Sequence, residues 1–344
     1  MILPQTLTSV VMLALLSLVC WSLWASTYKM GGKWRFELYY WDFALGALVV
    51  PVVAALTFGS LGFDGFLFSD DLMRAGKHKL LYALLAGVIF NLGNLLLMAG
   101  ISVAGMSLAF PIAVSTAVIA ATGWSYALGR PQNPALLFAG LCILVVSTIT
   151  ASLAYRSARI DRATQLIKAG KSKGTVPKSD WKGVLLALGG GVFLGSFYPL
   201  VASCRLGDDG VGPYSIAVLF SAGLFFSSVF FNLFLMNLPV EGKPLEVLDY
   251  FKSPLRQHWF GLAGGALWAA GTVASLVASA TESVRVSDAL ISGMIPAAAL
   301  ASSLLGLFAW REFEGLPART LAKLAVAAFG CGAALIWAGP LLLK

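Results

Sequence analysis

Residues 80–101 of the chain read LLYALLAGVIFNLGNLLLMAGI, a stretch without one charged side chain. A helix of this length is about 33 Å long, enough to cross a hydrocarbon core of about 30 Å. Similar apolar stretches recur along the chain and are continuous, whereas membrane β-barrels alternate apolar and polar positions. The sequence therefore predicts membrane-spanning helices.

The composition agrees with this prediction. Of the 344 residues, 58% are hydrophobic and only 12% are charged, and the mean hydropathy is +0.83. Soluble proteins carry about 25% charged residues. These values exclude an ordinary soluble enzyme and predict that the lipid bilayer surrounds the protein.

The predicted fold is an all-α polytopic membrane protein with about ten transmembrane helices. The shortest connection, near residues 101–105, predicts a tight helical hairpin. The predicted spans are 7–28, 39–59, 80–101, 103–127, 134–155, 183–204, 213–238, 259–281, 285–310 and 320–342.

A basic segment, residues 156–182, divides the chain into two five-span halves, 1–155 and 183–344. The halves are weakly similar, since Leu85-Ala86-Gly87 opens the third span as Leu262-Ala263-Gly264 opens the eighth. An odd number of spans in each half would place the halves upside down relative to each other. We therefore expect two inverted five-helix repeats, the arrangement of many transporters.

The loop charges predict an orientation, because cytoplasmic loops are enriched in Lys and Arg. Loops that follow odd-numbered spans contain 17 of the 24 Lys and Arg residues. The central basic segment is therefore expected in the cytoplasm and both termini outside, in the plasma (inner) membrane. These loops account for the net charge of +8, so no nucleic-acid partner is expected.

The chain contains none of the residue patterns that indicate catalysis or metal binding. The four cysteines lie in predicted spans without C-x-x-C spacing, and the two histidines, His78 and His258, are predicted in loops. No hydrolase or metalloprotease motif occurs. We therefore expect no catalytic residues, no metal and no cofactor.

Two amides mark the third span as a candidate substrate site. Asn91 and Asn94 are three residues apart and share one helix face, where they could bind a substrate or hydrogen-bond neighbouring helices. At the equivalent point of the eighth span lies Trp268, followed by Thr272. Amides that face an indole would suit a small, flat, polar solute.

Trp21 and Trp24 lie near the end of the first span, where they could belong to an interfacial aromatic belt or form the wall of a cavity. With them, the predicted substrate-binding residues are Asn91, Asn94, Trp21, Trp24, Phe110, Tyr198, Trp268 and Thr272.

Two acidic residues are candidates for proton coupling, because an ionisable group at membrane depth often marks a pathway or a partner. Asp288 is the first candidate, with Arg285 three residues before it, so a structural ion pair is the alternative. Asp42 is the second, in a shallow position where Lys29 or Arg35 could pair with it. The histidines, expected in loops, are badly placed for this role.

Several short motifs resemble the drug/metabolite transporter superfamily, and most closely its ureide permease group, to which the rhamnose and glucose/ribose transporter branch is related. The motifs are Trp21, Tyr40-Trp41-Asp42, Leu92-Gly93-Asn94, Val103-Ala104-Gly105-Met106-Ser107 and Gly212-Pro213-Tyr214.

The resemblance implies a permease that imports a small polar metabolite such as a ureide, a nucleobase or a sugar, with the proton as coupling ion. Export of metabolites or drugs and a non-transporting receptor remain the alternatives, and a monomer is expected. The chain departs from the superfamily at Trp310-Arg311-Glu312, where Gly-Glu is frequent, and at Gly129-Arg130, which lacks an acid. Coupling residues are therefore not transferred from the superfamily.

Overall fold

The computed structural model describes residues 1–62, 66–127, 134–168, 181–280, 286–314 and 316–341. The side chains of residues 126–127, 134, 286–292 and 339–341 lie outside this description. The described residues form helices joined by turns and irregular segments, without a β-strand among them.

The described residues form thirteen α-helices, in the following order along the chain: α1 Leu7–Met30, α2 Phe36–Leu56, α3 Phe68–Arg74, α4 Lys77–Ala104, α5 Met106–Ala127, α6 Pro134–Lys168, α7 Lys182–Ser196, α8 Tyr198–Cys204, α9 Pro213–Asn237, α10 Val247–Phe251, α11 Leu255–Ala278, α12 Val286–Leu304 and α13 Ala318–Leu341. A π-helical segment, Leu305–Ala309, continues α12.

Nine helical segments of the described chain are long and apolar enough to cross a membrane. They coincide with nine of the ten predicted spans. The remaining span, 285–310, corresponds to α12 and its π-helical continuation. The apolar segment with described side chains there, Gly293–Ala309, is shorter than the other nine. The predicted class, an all-α polytopic membrane protein, is confirmed.

Helix α6 is longer than its predicted span of 134–155 and continues to Lys168. Apolar length predicts only the part of a helix that lies in lipid. Residues 156–168 include three Arg and two Ala, which favour a helix in water. Arg162 in this extension donates a hydrogen bond of 2.9 Å to the carbonyl oxygen of Glu312. Residues 169–180 of the predicted linker lie outside the described residues.

The chain forms two compact units. The first unit contains Met1–Leu95 and Ser196–Ala298, and the second contains Leu96–Gly195 and Ala299–Lys344. Each unit thus takes residues from both sequence halves, because contacts between helices and not position along the chain define it. The inverted repeat and the division at 156–182 stay predictions.

In the first unit, α2 packs against α9 and α11, and α1 packs against α11. Glycines allow the closest approaches: Gly46 and Gly265 between α2 and α11, and Gly87 and Gly223 between α4 and α9. A Cβ atom at any of the four would overlap the backbone of the neighbouring helix. Small residues have this role where membrane helices meet.

The second unit is built around α6 and α13, which also contact α5. Gly105, with φ of 85°, is the single residue between α4 and α5, so the predicted tight hairpin is present. The carboxylate of Glu312 accepts hydrogen bonds from the backbone N–H groups of Met106 and Ser107, both at 2.9 Å, and from the Ser107 hydroxyl at 2.6 Å. Glu312 therefore stabilises the first turn of α5.

Candidate functional site

A network of buried polar side chains joins three helices of the first unit. The Tyr40 hydroxyl donates a hydrogen bond of 2.9 Å to Oδ1 of Asn91 and accepts one of 3.0 Å from Nδ2 of Asn94. Asn91 also donates to Ser227 at 2.8 Å, and its Oδ1 accepts from Ser228 at 3.1 Å. The network connects α2, α4 and α9.

These contacts bear on the two interpretations of the asparagines. Asn91 is fully buried, and its carbonyl oxygen accepts two hydrogen bonds while its amide donates one. These contacts are hydrogen bonds between helices, the second of the two interpretations. Asn94 is bonded to Tyr40, a residue of α2. Substrate binding by either amide stays a prediction.

An aromatic cluster, which we define as Phe43, Phe90, Phe197, Phe220 and Trp268, lies in the same unit. The Trp268 ring is nearly parallel to the rings of Phe90 and Phe220, with centroids 4.8 and 6.1 Å away. Phe43 is 6.0 Å from Trp268, and Phe197 is 5.3 Å from Phe90. The rings of Phe90 and Phe197 meet edge to face, and both stacked and edge-to-face arrangements are favourable between aromatic rings.

The aromatic cluster and the polar network are neighbours. The rings of Tyr40 and Phe43 lie 5.1 Å apart, so Tyr40 belongs to the network through its hydroxyl and contacts the cluster through its ring. Both residues are fully buried. The first unit therefore places stacking surfaces beside hydrogen-bonding groups, the two features that a flat polar solute needs.

The predicted residues of α1 and α11 extend this arrangement. The Trp21 indole N–H donates a hydrogen bond of 3.3 Å to the Thr272 hydroxyl, which donates to the carbonyl oxygen of Trp268 at 3.0 Å. Trp24 is buried and packs against Phe43 at 5.3 Å. Both interpretations of the two tryptophans, an interfacial belt or a cavity wall, stay predictions.

The other predicted residues are placed differently. Tyr198 belongs to the first unit, at the start of α8, and is 42% exposed. Phe110 is buried in α5 of the second unit. Asp288 lies on α12, and its side chain, like Arg285, is outside the described residues.

Asp42 has partners that lie far from it in the sequence. Its Oδ2 atom lies 2.7 Å from Nδ1 of His258, and its Oδ1 atom accepts a hydrogen bond of 2.5 Å from the Tyr250 hydroxyl. Lys29 and Arg35, the partners expected for Asp42, do not form this contact: Arg35 pairs with the buried Glu37 instead.

His258 is also not in a loop as expected, because α11 begins at Leu255, before the apolar run that marked the span. The edge of the Trp34 ring faces the imidazole at 5.4 Å, and Tyr250 packs against it at 4.6 Å. Asp42 and His258 are 216 residues apart, so spacing within the sequence could not connect them. The available signal was a histidine at the border of an apolar segment.

Hydrogen bonds place the α1–α2 connection beside the segment that precedes α11. Trp34 donates to the Ser253 hydroxyl at 3.0 Å, and Arg35 donates to the carbonyl oxygen of Lys243 at 2.8 Å. The pair of Asp42 and His258 lies at this end of the first unit. The loop charges predict that this end faces the cytoplasm.

Metal binding gains no support from the part of the chain that the structure describes. Within it, no group of three or more His, Cys, Asp and Glu side chains could hold a metal ion.

The helical architecture and the apolar segments define the class of this chain, an integral polytopic membrane protein. Residues 39–180 match the family model described as Ureide permease. Ureide permease 1 of Arabidopsis thaliana is 28% identical over 128 residues, which cover 37% of this chain and 33% of that protein. Ureide permease 2 of the same plant is 25% identical over 175 residues, which cover 49% and 44%.

These matches confirm the predicted resemblance to the ureide permease group. They span less than half the length of the curated relatives. A solved crystal structure is similar over 96% of both chains, with a TM-score of 0.51 and 17% identity. That likeness concerns the fold alone.

Proposed function

We propose that this chain is a secondary active transporter that imports a small polar metabolite, of the class of ureides, nucleobases or sugars, across the plasma (inner) membrane. The observation that carries the proposal is the match of residues 39–180 to the ureide permease model. The matched segment begins within α2 and includes the whole of α4, so it contains Tyr40, Asn91 and Asn94.

The substrate is proposed to bind in the first unit, where the polar network and the aromatic cluster meet. A planar ring with polar edges would stack on Trp268 and hydrogen-bond the amide of Asn94. Stacking on a tryptophan binds a flat solute whatever the arrangement of its hydrogen-bond donors and acceptors. The amide then selects among flat solutes by the polar groups at their edges. Trp21 and Thr272 support Trp268 from α1 and α11.

The proton is the proposed coupling ion, and the acids at membrane depth are its candidate carriers. Asp42 and Asp288 remain the two candidates, with the Arg285 ion pair as the alternative role of Asp288. A carrier that uses a proton gradient needs a group that gains and loses a proton as the binding site changes sides.

A thermal-shift screen of the purified protein tests the proposal. A ligand that binds the folded state alone, at about 100 times its Kd, stabilises that state by about 2.7 kcal/mol. We expect allantoin, as a ureide, or a nucleobase to raise the apparent Tm, and amino acids to leave it unchanged. If no ureide, nucleobase or sugar shifts the Tm of folded protein, the proposal is wrong, and a receptor or an exporter of other compounds becomes the better hypothesis.

A further inference from the structure

The pair formed by Asp42 and His258 is a buried titratable group that the proposed substrate site does not use. Asp42 is 2% exposed, and the His258 side chain is 15% exposed. Three separate elements supply the pair and its neighbour: Asp42 is on α2, Tyr250 on α10 and His258 on α11.

We propose that the Asp42–His258 pair is a proton-binding site and, resting on the proposed transport function, that its proton is the one that couples transport. The pair would bind the proton as a unit, with the imidazole as acceptor and the carboxylate as its counter-charge. Tyr250 acts as a positioning residue that holds the carboxylate.

The charge of the pair favours proton binding. When His258 is neutral, the pair has a net charge of minus one, and among the described residues no Lys or Arg forms an ion pair with Asp42. A buried charge without a counter-charge is costly. One added proton converts the pair into imidazolium and carboxylate, which together are neutral.

Geometry gives the proton its place. Nδ1 of His258 faces Oδ2 of Asp42, so in the neutral imidazole Nδ1 donates its proton to the carboxylate and Nε2 keeps a lone pair. A hydronium ion transfers its proton to Nε2 and becomes water, and release of the proton from the same atom to water reverses the step. The partial exposure of the ring gives water access to it.

Tyr250 keeps the Asp42 carboxylate in position whether the His258 imidazole is neutral or protonated. Burial and the neighbouring Asp42 carboxylate raise the pKa of the Tyr250 hydroxyl above its ordinary value. The hydroxyl therefore stays protonated at physiological pH and donates its hydrogen bond to Oδ1. Because α10 follows the end of α9, a change in the charge of the pair acts directly on this connecting segment.

The other titratable and charged groups near the pair are engaged with partners of their own. The pair is therefore the group that responds to a change in pH. Tyr39 on α2 is another titratable group near Asp42, and its hydroxyl is hydrogen-bonded to Thr27. The nearby charges on the same elements are already engaged: Arg35 with Glu37, Lys252 with Asp249, and Arg256 over the ring of Phe260.

A nuclear magnetic resonance titration tests proton binding without reference to transport. The chain contains two histidines, so ¹⁵N-histidine labelling gives two imidazoles, and His78→Gln assigns them. We expect the imidazole signals of His258 to change with pH in the wild type as the ring binds a proton. In Asp42→Asn this pH dependence should differ. The matched control is Asp70→Asn, an exposed acid in the same unit, which should leave them unchanged.

Transport in proteoliposomes tests the coupling, with allantoin as the probe. Asp42→Asn and His258→Gln should each abolish uphill accumulation under a proton gradient and retain exchange of allantoin across equal concentrations. Tyr250→Phe keeps the pair and should reduce accumulation less. The control variants His78→Gln and Asp70→Asn should accumulate allantoin like the wild type.

The histidine titration and the transport assay together distinguish failure of the proposed function from failure of the proton-binding proposal. If wild-type protein neither exchanges nor accumulates any of the probes, the proposed function fails, and the histidine titration still decides whether the pair binds a proton. If the wild type accumulates allantoin and Asp42→Asn does so equally while Asp288→Asn does not, the coupling assignment is overturned. If Asp42→Asn leaves the His258 titration unchanged, proton binding by the pair is overturned.

Discussion

The hydroxyl of Tyr40 lies 2.9 Å from Oδ1 of Asn91, and this hydrogen bond joins α2 to α4 in the buried part of the first unit. The same hydroxyl accepts from Asn94, so a single phenol connects both asparagines that the sequence singled out. The two asparagines consequently share a partner but differ in what else they contact. Their variants can therefore separate packing from substrate binding.

We expect Asn94→Ala to weaken binding of the ligand found by thermal shift, and the protein to remain folded. Interhelical hydrogen bonds in membranes average about 0.6 kcal/mol, so losing one lowers stability only slightly. Asn91→Ala should weaken binding too, with a larger fall in stability because Asn91 has three partners. Apparent Tm with and without ligand measures both effects.

The exposed Asn237 on α9 gives the control, since Asn237→Ala should change neither quantity. Normal ligand binding in both Asn91→Ala and Asn94→Ala, together with reduced stability, would show that these amides only connect helices.

Removal of the indole should weaken binding more than removal of one amide. In Trp268→Ala the substrate loses its proposed stacking partner, and an aromatic pair contributes about 0.5–1.5 kcal/mol beyond area burial. The affinity should fall about tenfold, since 1.4 kcal/mol is about a factor of ten. Trp268→Phe should retain part of the affinity.

Trp259→Ala is the matched control, because Trp259 is on the same helix and 64% exposed. Ligand titrations followed by Tm compare the three variants. Equal affinities of Trp268→Ala and Trp259→Ala would remove Trp268 from the substrate site.

The second unit offers a test of stability that is independent of substrate. Glu312 accepts three hydrogen bonds at the start of α5, and loss of a helix cap costs about 0.5–2 kcal/mol. Glu312→Ala should therefore lower the apparent Tm clearly, and Glu312→Gln less because its amide oxygen still accepts. Glu314→Gln should have little effect, since its partner Arg311 is 3.6 Å away and both side chains are exposed. A Glu312→Ala protein as stable as Glu314→Gln would contradict this role.

Orientation can be tested by labelling a cysteine introduced at Ser172, a position outside the described residues but inside the predicted cytoplasmic segment. The background protein should lack the exposed Cys142 and Cys331. A membrane-impermeant thiol reagent should label the new cysteine in inside-out vesicles and not in intact cells. Labelling of intact cells would reverse the predicted topology.

Much of the fold could be predicted from the sequence, because a lipid environment demands long apolar helices. Nine spans and the hairpin at Gly105 followed from hydropathy and one short connection. The extension of α6 to Lys168 did not, since its polar residues resemble a linker when only hydropathy is considered. The grouping into two units depends on contacts between distant segments, which hydropathy does not contain.

The sequence draws attention to individual residues of the candidate site but not to the contacts between them. Asn91, Asn94 and Asp42 stand out because polar side chains are rare in apolar segments. Their partners do not stand out: Tyr40 resembles an interfacial aromatic residue, and His258 resembles a loop residue. Pairing requires the fold, because Asp42 and His258 are brought together by the packing of α2 against α11.

Counterflow of labelled allantoin tests the central claim most directly. Purified protein is reconstituted into vesicles that are loaded with unlabelled allantoin, and the entry of external labelled allantoin is followed at equal pH on both sides. We predict transient accumulation of label in wild-type vesicles, reduced entry with Trp268→Ala, and none in protein-free vesicles. Entry no faster than in protein-free vesicles, for allantoin and for the nucleobases and sugars alike, would contradict a transporter of small polar metabolites.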